Sequence, residues 1–283
     1  MAVTTCSTER GVPTGAKLFS VVLCAVVLVC GCRLFSDISD AQRKVAWTGA
    51  LADVHPVWSA EPGLDLLTQP AVSIRAYLES FAAISAMADM DYGYPGFLQA
   101  VPPTANESRG TIGNLRPVLL PSSQPESLVG TEMFHLLRVD ATEGEMRAFV
   151  CDFSPVTAGT DHGDGSYGRA DYWRSQFDTG VHMHWVAMRP PDPPRHALPP
   201  QAGSALTPSI DVFNGWHVFG HITMRTPIEE SPTLRPELAM APPYFQACLD
   251  KAPYDKGRRW SLLRTLQQRS DFPTLPAYPG WPG

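Results

Sequence analysis

Apolar residues fall into three rhythms along this chain, and each predicts a different element. The first is an unbroken run. Leu18 to Cys30 carries no charged residue and only Ser20 interrupts it. Such a run, 13 residues long, spans roughly 20 Å as a helix, short of the roughly 30 Å hydrocarbon core. The second rhythm is helical. From Pro70 to Asp91, Ile74, Tyr77, Leu78, Phe81, Ile84 and Ala88 recur on one stripe, while Arg75, Glu79, Ser80 and Asp89 sit off it. Pro70 suits a helix start. The third rhythm has period two. Glu132 to Phe153 reads as a hairpin turning at Ala141–Gly144, and Gly180–Arg189 and Phe213–Met224 read as further strands.

Between these segments the chain is punctuated by proline. Ala46–Leu67 reads as a short helix broken at Pro56 and Pro62, and Val101–Leu128 as a connector. Arg189–Ser209 reads as an extended surface loop, Lys256–Arg269 as a basic helix, and Phe272–Gly283 as a Pro-rich tail along the surface. The order is a helix followed by about four antiparallel strands, an α+β arrangement. A long N-terminal helix packed on a curved antiparallel sheet resembles, over residues 70–225, the nuclear transport factor 2-like cone. The expected organisation is a signal at 1–31, a tether at 32–45, a single α+β domain at 46–270 and a tail at 271–283.

The end of the apolar run adds chemistry. Arg10 and Lys17 precede it, and Val29-Cys30-Gly31-Cys32 closes it before Arg33. This resembles the lipobox of bacterial lipoproteins, and Cys30 departs from the smaller residues usual at its position. The resemblance implies that the Cys32 thiol carries lipid (a palmitate-type anchor) and that the chain is cut before it. A plain secretory signal and an uncleaved N-terminal anchor are the alternatives. With its Pro-rich character and terminal Pro-Gly-Trp-Pro, the chain also resembles uncharacterised actinobacterial envelope lipoproteins. That resemblance implies a membrane-anchored, extracytoplasmic address and no activity.

Cysteine use fits export. Of six cysteines, Cys6, Cys24 and Cys30 lie in the signal and Cys32 is taken by lipid, leaving Cys151 and Cys248. An even remainder predicts one disulfide, with two separate buried thiols as the alternative. Charge is modest: the formal net charge is -6 and 18% of residues are charged. A mildly acidic chain of this kind is not a nucleic-acid binder.

Candidate chemistry is sparse. His182 and His184 are two apart on a strand and point to one face, where they could share Zn²⁺ or Cu²⁺. His217 and His221 would share a face on a regular strand, and His135 could join them. A polar sheet face explains the same residues without metal. Asp161-His-Gly-Asp-Gly165 lacks the alternate acids of a calcium loop. Ser166 lacks the first glycine of a nucleophile elbow. Asn106-Glu107-Ser108 matches the glycosylation tripeptide. Tyr92, Tyr94, Trp185 and Trp216 could wall an apolar ligand pocket or simply pack in the core. Lys256, Arg258, Arg259, Arg264 and Arg269 could meet anionic headgroups or solvent.

The expected function is a non-catalytic binding or interaction module with no cofactor, held at the membrane through Cys32. Its partner would be an envelope protein or a small apolar ligand. The alternatives are an exported hydrolase or metal-dependent enzyme using the His182/His184 face, and a small-molecule or lipid carrier.

Overall fold

A computed structural model describes residues 44–103, 112–142, 144–153, 156–159, 165–168, 179–225 and 241–283. The signal and lipobox with Cys32, the tether up to residue 43, the Asn106 tripeptide and the Asp161–Asp164 acids lie outside these residues. Lys44–Gly283 forms one compact unit.

The described residues build a mixed sheet of seven strands, ordered β1-β3-β4-β6-β7-β2, with β5 also on β3. The strands are β1 Asp53–Ala60, β2 Ile112–Gly113, β3 Leu128–Thr142, β4 Glu145–Asp152, β5 Thr157–Gly159, β6 His182–Arg189 and β7 His217–Met224. The helices are α1 Ala71–Met87, α2 Phe97–Ala100, α3 Ala241–Lys251 and α4 Lys256–Arg264. The expected N-terminal helix on a four-stranded antiparallel sheet is therefore overturned, and the nuclear transport factor 2-like likeness with it. A strand precedes the long helix, β1–β3 and β2–β7 are parallel, and two helices follow the last strand.

Three strands were not predicted, the short β2 and β5 and the longer β1. In β1, Pro56 argues against a strand interior, yet β1 is the edge of the sheet, where a missing N–H is tolerated. The C-terminal tail covers that edge: Trp58 N donates to Tyr278 O at 2.6 Å and Tyr278 N donates to Pro56 O at 3.2 Å. The predicted hairpin is present, with Thr142 opposite Glu145 and Gly144 at φ 73°. The strands expected at 180–189 and 213–224 are present as β6 and β7.

Two layers cover the sheet. On one face Ile74, Tyr77, Leu78 and Ile84 of α1 join Leu136, Val150, Val186 and Val218 in one core. On the other, Phe245 and Cys248 of α3 join Phe149, Met183, Trp185 and Ile222. Cys151 and Cys248 form a disulfide across the second core, with Cα atoms 5.3 Å apart and a sequence separation of 97. Trp185 fits because Gly220 faces it, where a Cβ would lie 2.5 Å from the ring.

The polar residues of α1 are not on a solvent face. Arg75, Ser80 and Glu79 are almost fully buried. Glu79 Oε1 accepts from Trp58 Nε1 at 2.8 Å, and its Oε2 accepts from Tyr94 Oη at 2.6 Å and Trp281 Nε1 at 2.9 Å. Burial pushes the Glu79 carboxyl up, against the pull of Arg75 and these donors. The Arg75 guanidinium donates to Leu66, Gln201, Pro279 and Gly280 carbonyls and lies 4.1 Å from the Trp281 ring. The tail expected to run along the surface thus ends in a buried tryptophan held by α1.

Candidate functional site

Strand register gathers one polar group on the α1 face. Asp152, the last residue of β4, lies opposite His182, while His184 lies opposite Val150 on one side and Thr223 on the other. Alternation puts Asp152, His182, His184 and Thr223 on one face. His221 joins them by the same alternation, two residues before Thr223 and opposite Val186 of β6.

The contacts run as a line. His182 Nδ1 lies 3.4 Å from Asp152 Oδ2, and His184 Nε2 lies 3.3 Å from the same oxygen. His184 Nδ1 meets His221 Nε2 at 2.9 Å and Thr223 Oγ1 at 3.1 Å. His221 Nδ1 ends the line 3.3 Å from Asn114 O. The edges of Tyr77 and Phe81 from α1 enclose the His221 ring, with centroids 5.2 and 4.6 Å away.

Proton bookkeeping constrains this line. The contacts from Asp152 through His184 and His221 to Asn114 require a proton at each junction, yet two neutral rings supply one fewer than that. Burial, then the charge of His184, pushes the His221 imidazole well below its ordinary pKa, against the Asn114 hydrogen bond. A neutral His221 donates through Nδ1 to Asn114 O and accepts at Nε2. The Thr223 hydroxyl, 3.1 Å from His184 Nδ1 and 3.4 Å from His221 Nε2, can supply the remaining proton at that junction. Burial alone would raise the Asp152 carboxyl, but the hydrogen bonds and charges of His182 and His184 hold it well below the usual carboxylate range.

The line is open on one side. Asp152, His182, His184 and Thr223 border a cleft of about 240 Å³, together with Phe81 and Phe134 as apolar walls and Glu126, Glu132 and Arg225 as charged ones. Asp152 and His182 are each 8% exposed, and Asp152 Oδ1 and His182 Nε2 have no hydrogen-bond partner among the described residues. Buried polar atoms of this kind are rare because leaving one unmatched costs roughly 1–3 kcal/mol.

The remaining candidates scatter. A register irregularity beside Met188 breaks the alternation of β7, so Val218 and His221 face α1 while Phe219 and Ile222 face α3. His217, one residue before Val218, is exposed and does not share a face with His221. His135 pairs with Cys151 and lies on the α3 side, apart from the other histidines. Among the described residues, no three His, Cys, Asp or Glu side chains are grouped so as to hold a metal ion; the donors bond along a line. Tyr94 belongs to the Glu79 network, Tyr92 sits beneath Lys44 and Trp185 is core, so these do not form one wall. Trp216 alone borders a separate pocket of about 380 Å³ with Val72, Leu198 and several prolines. On the basic helix, Arg258 pairs with Asp271 and Arg259 donates to the Thr179 carbonyl, which leaves them poorly placed for headgroups.

Asp152 and Thr223 escaped sequence reading because neither belongs to a motif. The signal that could have found Asp152 is register: a hairpin followed by an antiparallel strand sets the end of β4 against the start of β6. No family model, no curated protein and no solved structure matches this chain. No helix among the described residues is long and apolar enough to cross a membrane.

Proposed function

We propose that this chain is a membrane-anchored envelope lipoprotein whose folded unit binds a small ligand bearing an ammonium or guanidinium group in the Asp152 cleft. One observation carries the binding reading: two unmatched polar atoms, Asp152 Oδ1 and His182 Nε2, are buried at the border of a cleft. Asp152 is held ionised, so its free oxygen calls for a donor. Among the described residues, Glu126 and Glu132 add carboxylates around the opening and Arg225 adds one permanent cation. A cationic N–H donor flanked by a short apolar part matches these walls and the Phe81 and Phe134 rings.

The address rests on the lipobox at Cys32 and on the Cys151–Cys248 bridge, which suits an oxidising compartment. Nuclear magnetic resonance of the histidine ring protons tests the site. Titration with n-butylammonium or methylguanidinium shifts the His182 and His184 signals, while n-butanol leaves them in place. Cations that move neither histidine would end this reading.

A further inference from the structure

The opposite face of the sheet carries a second polar set, independent of the cleft. Ser59 on β1 lies opposite His135 on β3, and Ser59 Oγ is 2.8 Å from His135 Nδ1. The other ring nitrogen, His135 Nε2, is 2.9 Å from Glu61 Oε1. Lys251 closes an ion pair on the same Glu61 oxygen. Lys251 ends α3 one turn beyond Cys248, so the disulfide that pins α3 to β4 also delivers this lysine.

The carboxylate fixes the direction of the His135–Glu61 hydrogen bond. Lys251 first and His135 second hold the Glu61 carboxyl below its ordinary range. An ionised Glu61 accepts only, so His135 presents Nε2–H to it and keeps the lone pair on Nδ1. That nitrogen is the nearer partner of the Ser59 hydroxyl, which also reaches Phe134 O at 3.4 Å. His135 is 9% exposed and held on both sides, whereas Ser59 is open to solvent. A nucleophile within hydrogen-bond reach of a base, with that base oriented by a third group, is the arrangement that activates a serine.

The backbone after Ser59 offers one N–H that is not directed at β3. Trp58 N–H points away from β3 to Tyr278 O, and Glu61 N–H points back to Leu136 O. By strand alternation the Ala60 N–H shares the Trp58 side, facing away from β3.

We propose that Ser59, His135 and Glu61 form a second, catalytic site that opens carboxylic esters. Ser59 Oγ attacks the ester carbonyl as its proton passes to His135 Nδ1. The tetrahedral adduct collapses by breaking the C–O bond, and His135 returns the proton to the leaving alcohol. Water then attacks acyl-Ser59 by the same route, giving the carboxylic acid and free Ser59. The set escaped sequence reading because β1 itself did.

Labelling of the full chain with a fluorophosphonate, followed by peptide mapping, tests this. Ser59 is the expected adduct, formed at least ~100-fold faster than in the urea-unfolded chain, in line with general-base assistance. Glu61→Gln and His135→Ala each slow labelling about 10-fold or more while leaving the far-ultraviolet circular dichroism unchanged. If His135→Ala fails to fold, the decision rests on Glu61→Gln and on the mapped site in the native chain. No adduct at Ser59, or a rate that is unaltered in a folded variant, overturns the proposal.

Discussion

Trp281, two residues from the C-terminal Gly283, donates its indole N–H to Glu79 Oε2 at 2.9 Å, across 202 residues of sequence. The pair ties the end of the chain to the middle of α1. Trp58 and Tyr94 donate to the same carboxylate, so one buried acid joins the edge strand, the long helix and the tail. Trp281→Ala removes a 1%-exposed tryptophan and a donor together. We expect a loss of about 3–5 kcal/mol in urea unfolding, as for other large-to-small aromatic truncations. Glu79→Ala strands the indole and phenol donors and leaves Arg75 uncompensated, with a loss of similar size. A change under about 1 kcal/mol in both variants would place the stability of the unit elsewhere.

Acid stability follows from His221. Its folded-state pKa is depressed by burial, so below the ordinary histidine range the unfolded chain binds a proton that the folded chain refuses. Stability therefore falls as pH falls, with a limiting slope of about 1.4 kcal/mol per pH unit for one proton. Asp152 acts in a separate window. Its folded pKa is also depressed, so its contribution is full above the ordinary carboxylate range and is lost only as pH falls below about 4. Urea midpoints at pH 7.5, 6.5 and 5.5 measure the first window. The slope should be shallower in His221→Asn than in the parent chain.

The disulfide closes a long loop. By loop-closure entropy, a bridge spanning 97 residues restrains the unfolded chain by about 4–5 kcal/mol. The Cys151→Ala/Cys248→Ala double variant should lose stability of that order in urea unfolding. It should also show faster amide exchange in α3, because that helix packs against the sheet through Phe245 and Cys248. Peptide mapping without reductant should recover the two cysteines as one joined species.

Anchoring has its own test. If Cys32 carries lipid, Cys32→Ser moves the protein from the membrane pellet to the soluble fraction. A full-length variant that stays in the pellet identifies the apolar run at 18–30 as an uncleaved anchor.

How much was legible in the sequence depends on whether an element is stabilised locally. The hairpin, β6 and β7 announce themselves as short runs rich in apolar and aromatic residues bounded by turns, although β6 and β7 are buried along nearly their whole length because both faces of the sheet are covered. The disulfide followed from compartment and parity. Helix α1 was legible as a helix, with Arg75 and Glu79 off its apolar stripe, but their burial was not, because their partners include Gln201, Pro279 and Trp281, far along the chain. β1 was hidden by Pro56, which only an edge position covered by the tail makes tolerable. Of the candidate site, His182 and His184 could be paired by spacing alone. Asp152 and His221 required the register of neighbouring strands, and the irregularity in β7 removed His217, which regular alternation would have included.

The central claim is that Asp152 recognises a cationic donor in the cleft. Calorimetric titration of n-butylammonium at pH 7.5 into the parent chain and into Asp152→Asn tests it most directly. A five-heavy-atom cation should bind with Kd on the order of 1 mM. Loss of a charge-assisted hydrogen bond should weaken it about 10-fold or more in the variant. Equal affinities in the two chains, or no heat of binding in either, would contradict the account.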